Sequence, residues 1–227
     1  MSLKSRLILR LAVSLIVALA VVFIPAGTLR FWRGWVLLAI FYTYASWAFA
    51  YFYRHDRALI ERRLRSQEKI REERWLVRLL MPAFLAGFVL PGFDYRLGWS
   101  RAVLGVVAPA WLSLIADALI LCSLVFLFWV FRVNSFASRT IEVVAGQKVI
   151  SSGPYGWVRH PLYAASLVMW LSVPLALGSY VTWPAFALLI PFYVLRLLNE
   201  ERLLRCELPG YSEYCQRTRF RVVPHVW

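Results

Sequence analysis

Trp111 to Phe131 reads WLSLIADALILCSLVFLFWVF, and this run decides the fold class. About 20 apolar residues at 1.5 Å each cross the ~30 Å hydrocarbon core of a bilayer as a helix. Its one residue charged at neutral pH, Asp117, would cost about 2.5–3.5 kcal/mol if that charge were left at the bilayer centre. Asp117 is therefore expected to face protein, water or the interface, with a structural partner favoured over a catalytic role.

The rest of the chain agrees with a membrane solvent. Of its 227 residues, 61% are hydrophobic and 17% charged, whereas soluble domains run near half apolar and about a quarter charged. The net charge of +14 does not point to nucleic acid, because the cations sit between apolar spans rather than on one solvated face. Cys122, Cys206 and Cys215 show no ligand spacing, so neither a metal site nor a disulfide framework is expected.

Upstream, Leu7 to Ile24 and Trp35 to Tyr53 read as the first two spans, the second rich in interfacial Trp and Tyr. Arg54 to Arg78 is strongly polar, with Glu61 to Arg65 and Glu68 to Glu72 spacings that suit a surface helix. Leu79 to Leu90, with Trp75 to Val77, makes a third span that Pro82 and Pro91 tilt or break. Gly92 to Arg101 reads as a turn, and Ala102 to Ala110 as an apolar lead into the next helix.

Downstream, Arg132 to Val149 turns polar, with Asn134, Ser135, Ser138 and Thr140. SGPYGWVRHPLY, Ser152 to Tyr163, then opens a helical hairpin of Leu162 to Leu177 and Val181 to Leu198, joined at Gly178-Ser179-Tyr180. Pro161 sits in a first helical turn, so Arg159 and His160 stand at a helix mouth where free N–H groups favour an anion. Pro174 and Pro191 each remove one backbone bond from the hairpin. Asn199-Glu200-Glu201-Arg202 closes the last span at the same depth, and a tail from Pro209 to Pro224 alternates Arg with aromatic residues. Paired carboxylates bind ribose hydroxyls or an ammonium, and Arg binds carboxylate or phosphate, so a charged cofactor fits.

With six spans and the N-terminus inside, Arg30, Arg33, Arg96 and Arg101 are the four of 26 Lys and Arg left outside. That bias predicts an all-α polytopic bundle of about six spans with both termini cytoplasmic.

GPYGWVRHPLY from Gly153, the doubled Glu200-Glu201, then GYSEY from Gly210 and RVVP from Arg221 resemble, in that order, the isoprenylcysteine carboxyl methyltransferase family, which overlaps with membrane phospholipid methyltransferases. The resemblance covers about Asn134 to Trp227. It implies an integral-membrane enzyme that binds S-adenosylmethionine at the cytoplasmic ends of its last helices, closed by the C-terminal tail. Residues 134–227 would form the catalytic region, and 1–133 the N-terminal membrane helices with the basic loop 54–78. Carried over, Gly153, Pro154, Tyr155, Arg159, His160, Pro161, Tyr163, Glu200 and Glu201 would bind the cofactor. Arg221, with Arg159, would act on the acceptor. Ala165 departs from the Gly that many members carry after HPxY.

The acceptor would be a lipid, an isoprenoid or a prenylcysteine-type carboxylate. No dedicated base is evident, and an ammonium acceptor would first have to lose a proton. Two other readings stay open. A membrane NADPH-dependent reductase of the sterol or steroid type shares an RHP-like segment, although a glutamate pair opposes bound pyrophosphate. A non-enzymatic membrane scaffold would use the polar motifs as interfacial anchors.

Overall fold

A computed structural model describes residues 3–64, 71–137, 143–144 and 146–227, without the side chains of residues 64, 71–77 and 79. The Glu61–Arg65 and Glu68–Glu72 pairings, and Ser138 and Thr140, fall wholly or partly outside the described residues. All regular structure among the described residues is helical. In order come α1 (Leu3–Ala26), α2 (Trp32–His55), α3 (Arg57–Leu64), α4 (Arg71–Leu97), α5 (Trp99–Leu104) and α6 (Ala110–Val133). A 3₁₀ turn at Gly153–Gly156 leads to α7 (Pro161–Ala176), α8 (Trp183–Ala187), α9 (Leu189–Glu207) and α10 (Tyr211–Arg217).

The protein is an integral membrane protein: α1, α2 and α6 are long and apolar enough to cross a bilayer, and much of their surface faces outward as apolar side chains. The apolar α7 is shorter, at 16 residues.

α6 and α7 form the centre of the bundle. Ala116, Ile120, Leu124 and Leu127 of α6 meet Ala165, Met169, Val173 and Ala176 of α7 in one buried cluster. The alanines on both sides allow a close approach, which is how helices pack where lipid supplies no hydrophobic drive. Ala165, the departure noted above, is part of this buried seam. Ser113 Oγ donates to the Leu175 carbonyl at 2.9 Å, tying the start of α6 to the end of α7. Asp117 faces protein, at 4% exposure, but neither carboxylate oxygen makes a hydrogen bond among the described residues.

Three expectations along the chain are corrected. The turn expected over Gly92 to Arg101 is mostly helix, because α4 continues through Pro82 and Pro91 to Leu97 and reverses only at Gly98 in the left-handed conformation. Gly92 serves packing instead: a Cβ there would lie 2.9 Å from the Ala26 backbone nitrogen of α1. Ala102 to Ala110 does not extend α6, since α5 stops at a left-handed Gly105 and Pro109 precedes the first turn of α6. The second arm of the hairpin divides at Leu188 into α8 and α9. Pro191 consequently falls in the first turn of α9, where its missing N–H breaks no helical bond.

Candidate active site

His160 precedes Pro161, the first residue of α7, so the local sequence fixes where the chain turns from loop to helix. Just upstream, Gly153 adopts φ +58°, a conformation that favours glycine, and starts the turn that presents Tyr155. Tyr155 is held from three sides. Asn134 Nδ2, past the end of α6, donates to its hydroxyl at 2.8 Å. Its carbonyl accepts from the hydroxyls of Tyr214 in α10 at 2.8 Å and Thr218 at 3.4 Å. Burial, the largest influence, pushes the Tyr155 hydroxyl well above its ordinary pKa, so it stays protonated.

The C-terminal tail folds back onto this segment. The Arg159 and His160 amides donate to the carbonyls of Phe220 and Arg221 at 2.9 and 2.8 Å. Arg221 is thereby brought beside Glu201, which is 3% exposed and gathers the local cations. Its Oε1 lies 2.9 Å from Arg159 Nη1 and 3.3 Å from His160 Nε2, and its Oε2 lies 3.1 Å from Arg221 Nε. Burial alone would raise the Glu201 carboxyl. The His160 hydrogen bond, the charges of His160 and Arg159 and the Arg221 hydrogen bond outweigh it and hold the group at about 2.

Glu200, one residue earlier, points elsewhere. It accepts from the Tyr163 hydroxyl at 2.5 Å and faces a cavity of about 1180 Å³. The two glutamates stand inside α9, six or more residues before its end at Glu207, and not at a helix terminus as expected. Successive helical positions point about 100° apart. The adjacent pair therefore splits into one cavity carboxylate and one buried hub.

The cavity joins two kinds of wall. Tyr155, Arg159, His160, Glu200, Tyr211 and Tyr214 line its polar end. Phe84, Met169, Trp170, Leu189, Phe192 and Tyr193 line the other. Trp170 lies ten residues beyond His160, so the two ends of the cavity are about 15 Å apart along α7 at 1.5 Å per residue. The volume exceeds the ~300–1,000 Å³ of an ordinary small-molecule pocket.

Of the sequence-predicted residues, Tyr155, Arg159, His160, Tyr163 and Glu200 line the cavity together. Gly153 and Pro154 shape the turn behind Tyr155, and Pro161 starts α7. Glu201 and Arg221 lie one layer behind, joined to the cavity through Arg159 and His160. Arg221, expected on the acceptor side, is an ion-pair partner of Glu201, expected on the cofactor side. Sequence reasoning assigned no role to Asn134, Tyr211, Tyr214 or Arg196; the GYSEY motif was a signal for the two tyrosines. Tyr211 is 4% exposed, its hydroxyl makes no hydrogen bond among the described residues, and burial raises its pKa. Arg159 Nε is likewise buried without an acceptor among the described residues.

Residues 111–207 match the phospholipid methyltransferase family. That segment runs from α6 to the end of α9 and contains the 153–163 stretch and both glutamates, but neither the tail nor the N-terminal helices. The chain is also similar to Delta(14)-sterol reductase TM7SF2 of Mus musculus, 30% identical over 95 residues. That similarity covers 39% of this chain and 22% of the length of the reductase.

Proposed function

We propose that this protein is an integral-membrane S-adenosylmethionine-dependent methyltransferase acting on a lipid, isoprenoid or prenylcysteine-type carboxylate. The observation that carries the reading is the match of residues 111–207 to phospholipid methyltransferases, coinciding with a cavity that is polar at one end and apolar at the other. The site residues fit the cofactor. Glu200 offers an acceptor for ribose hydroxyls or an ammonium group, and the Tyr211 hydroxyl and Arg159 Nε are buried donors on the same wall without partners among the described residues. Bound there, the cofactor would supply an activated methyl group. Tyr163 fixes Glu200 through its hydroxyl, while the Glu201 hub holds Arg159 and His160 in place. The apolar end excludes water and aligns the acceptor, which is most of what methyl transfer to a good nucleophile requires.

The reductase similarity favours a second reading, NADPH-dependent reduction of a sterol-type substrate. Titrating detergent-purified protein with S-adenosylhomocysteine and, separately, with NADPH distinguishes them. Saturable binding of the first without competition from the second is expected. Tight NADPH binding with no S-adenosylhomocysteine binding reverses the assignment, and binding of neither supports a scaffold.

The reading includes six spans with both termini and the site on the cytoplasmic face, from the distribution of Lys and Arg. The exposed Cys206 near the end of α9 reports on it directly. In a Cys122→Ser, Cys215→Ser background, Cys206 is expected to resist an impermeant maleimide in intact cells and to react after lysis. Labelling in intact cells would invert the topology.

A further inference from the structure

Asn134 is the first residue past α6, and both ends of its amide are committed. Its Oδ1 accepts from the Phe136 amide at 3.0 Å in an Asx-type turn, which leaves Nδ2 to donate to the Tyr155 hydroxyl oxygen at 2.8 Å. The Ala137 amide closes the same turn on the Asn134 carbonyl at 3.3 Å. From outside, α3 grips it: Arg62 Nη1 donates to the Ser135 carbonyl, and the Arg62 guanidinium lies 5.4 Å from the centre of the Phe136 ring. Arg62 precedes the segment that matches phospholipid methyltransferases, so the N-terminal part of the chain secures the turn that orients Asn134.

The direction of the Asn134–Tyr155 bond decides where the Tyr155 proton goes. A phenol carries its proton in the ring plane on one side of the oxygen and accepts on the other. With the Asn134 amide donating from one side, the Tyr155 proton takes the opposite side. No acceptor for it is found among the described residues, where Asn134 is the side-chain partner of that hydroxyl. Tyr155 cannot swing away, because its carbonyl accepts from the Tyr214 and Thr218 hydroxyls. It lines the polar end of the cavity together with Tyr211, whose hydroxyl also has no partner among the described residues. Two tyrosine protons without protein acceptors on one cavity wall call for a ligand that brings acceptors to them.

We propose that Asn134 is a positioning residue: by donating to the Tyr155 oxygen it turns the Tyr155 proton toward the cavity, where that hydroxyl donates to an acceptor atom of the ligand at the polar end. The identity of the ligand, S-adenosylmethionine or its demethylated product, rests on the methyl-transfer reading. The coupling between the two side chains does not.

The test is a double-mutant cycle on the full chain in detergent, read by calorimetric titration of S-adenosylhomocysteine and of NADPH, with thermal unfolding of each variant. Asn134→Asp is nearly isosteric and reverses the bond, since a carboxylate only accepts and draws the Tyr155 proton to itself. It should unfold close to wild type and yet bind S-adenosylhomocysteine about tenfold more weakly, as should Tyr155→Phe, because a ligand acceptor loses its donor. Asn134→Leu, which makes neither bond and adds no charge, should weaken binding by a smaller factor. In a Tyr155→Phe background neither Asn134 substitution should weaken binding further by more than about twofold, since the partner through which it acts is gone. Equal losses in both backgrounds would overturn the proposal, because Asn134 would then act through the turn or through its charge. Wild-type affinity in Tyr155→Phe or in Asn134→Asp would overturn it as well. If the wild type binds NADPH and not S-adenosylhomocysteine, and the same coupling appears with NADPH, the positioning role stands and the methyl-transfer reading falls. Binding of neither ligand overturns both.

Discussion

Glu201→Gln is expected to be the most damaging single substitution in the molecule, acting on the fold before it acts on any ligand. Its carboxylate is 3% exposed and holds Arg159, His160 and Arg221 within 3.3 Å. Removing one partner of a buried charge pair typically costs about 3–5 kcal/mol, because the remaining charges keep their desolvation penalty and lose its compensation. Arg159 is 7% exposed and cannot turn to solvent without displacing the returning tail, whose Arg219 carbonyl it also contacts. Thermal unfolding in detergent should show a large loss of stability, and S-adenosylhomocysteine binding should fall with it. Arg221→Ala should give a milder form of the same phenotype, since that side chain is more exposed and leaves Arg159 and His160 to neutralise the glutamate.

The acid limb of stability checks the same hub independently. Glu201 is held at about 2 in the fold against an ordinary value of 4.5. A depressed carboxyl stabilises the fold above its unfolded pKa, and this contribution is lost as pH falls from about 4.5 through about 2. The stability gap between wild type and Glu201→Gln should be full above about pH 5 and close across that interval. A gap that does not change with pH would mean that Glu201 acts by packing and not by charge.

How much of this was legible in the sequence differs from element to element. Trp111 to Phe131 needed no context, because an apolar run of that length has one solvent in which it is stable. The start of α7 was equally plain, since Pro161 is tolerated at a first helical position and His160 must precede it. The course of α4 was not, because Pro82, Pro91 and Gly92 are local breakers. At Gly92 the small residue answers the backbone of α1, a partner more than sixty residues away. Within the site, the sequence brought Arg159, His160 and the glutamates together by order and depth alone. It could not separate Glu200 from Glu201, because that depends on the rotation of α9 against α7 and the tail. Arg63 and Arg78, which also line the cavity, were hidden for a different reason: in a strongly charged stretch, a cation that lines a cavity reads the same as one that faces solvent.

Glu200 is where the two enzymatic readings predict opposite signs. Its carboxylate lines the cavity, is fixed by the Tyr163 hydroxyl, and stands three positions from the buried Leu197 without belonging to the Glu201 hub. Substitution by glutamine keeps the shape and removes the charge, so thermal stability should change little compared with Glu201→Gln. If Glu200 binds the ribose hydroxyls or the amino group of S-adenosylmethionine, its loss removes a partly desolvated charged hydrogen bond worth roughly 1.5–3 kcal/mol. Affinity for S-adenosylhomocysteine should then fall about ten- to a hundredfold. Tyr163→Phe, which frees the carboxylate without removing it, should weaken binding by a smaller factor. Under the reductase reading the same carboxylate opposes pyrophosphate, and its neutralisation should raise NADPH affinity. Calorimetric titration of both ligands into wild type, Glu200→Gln and Tyr163→Phe therefore reads a direction as well as a magnitude. A fall for S-adenosylhomocysteine supports methyl transfer. A rise for NADPH with S-adenosylhomocysteine unaffected would sink it, because no arrangement in which Glu200 holds the methyl donor predicts that pair of results.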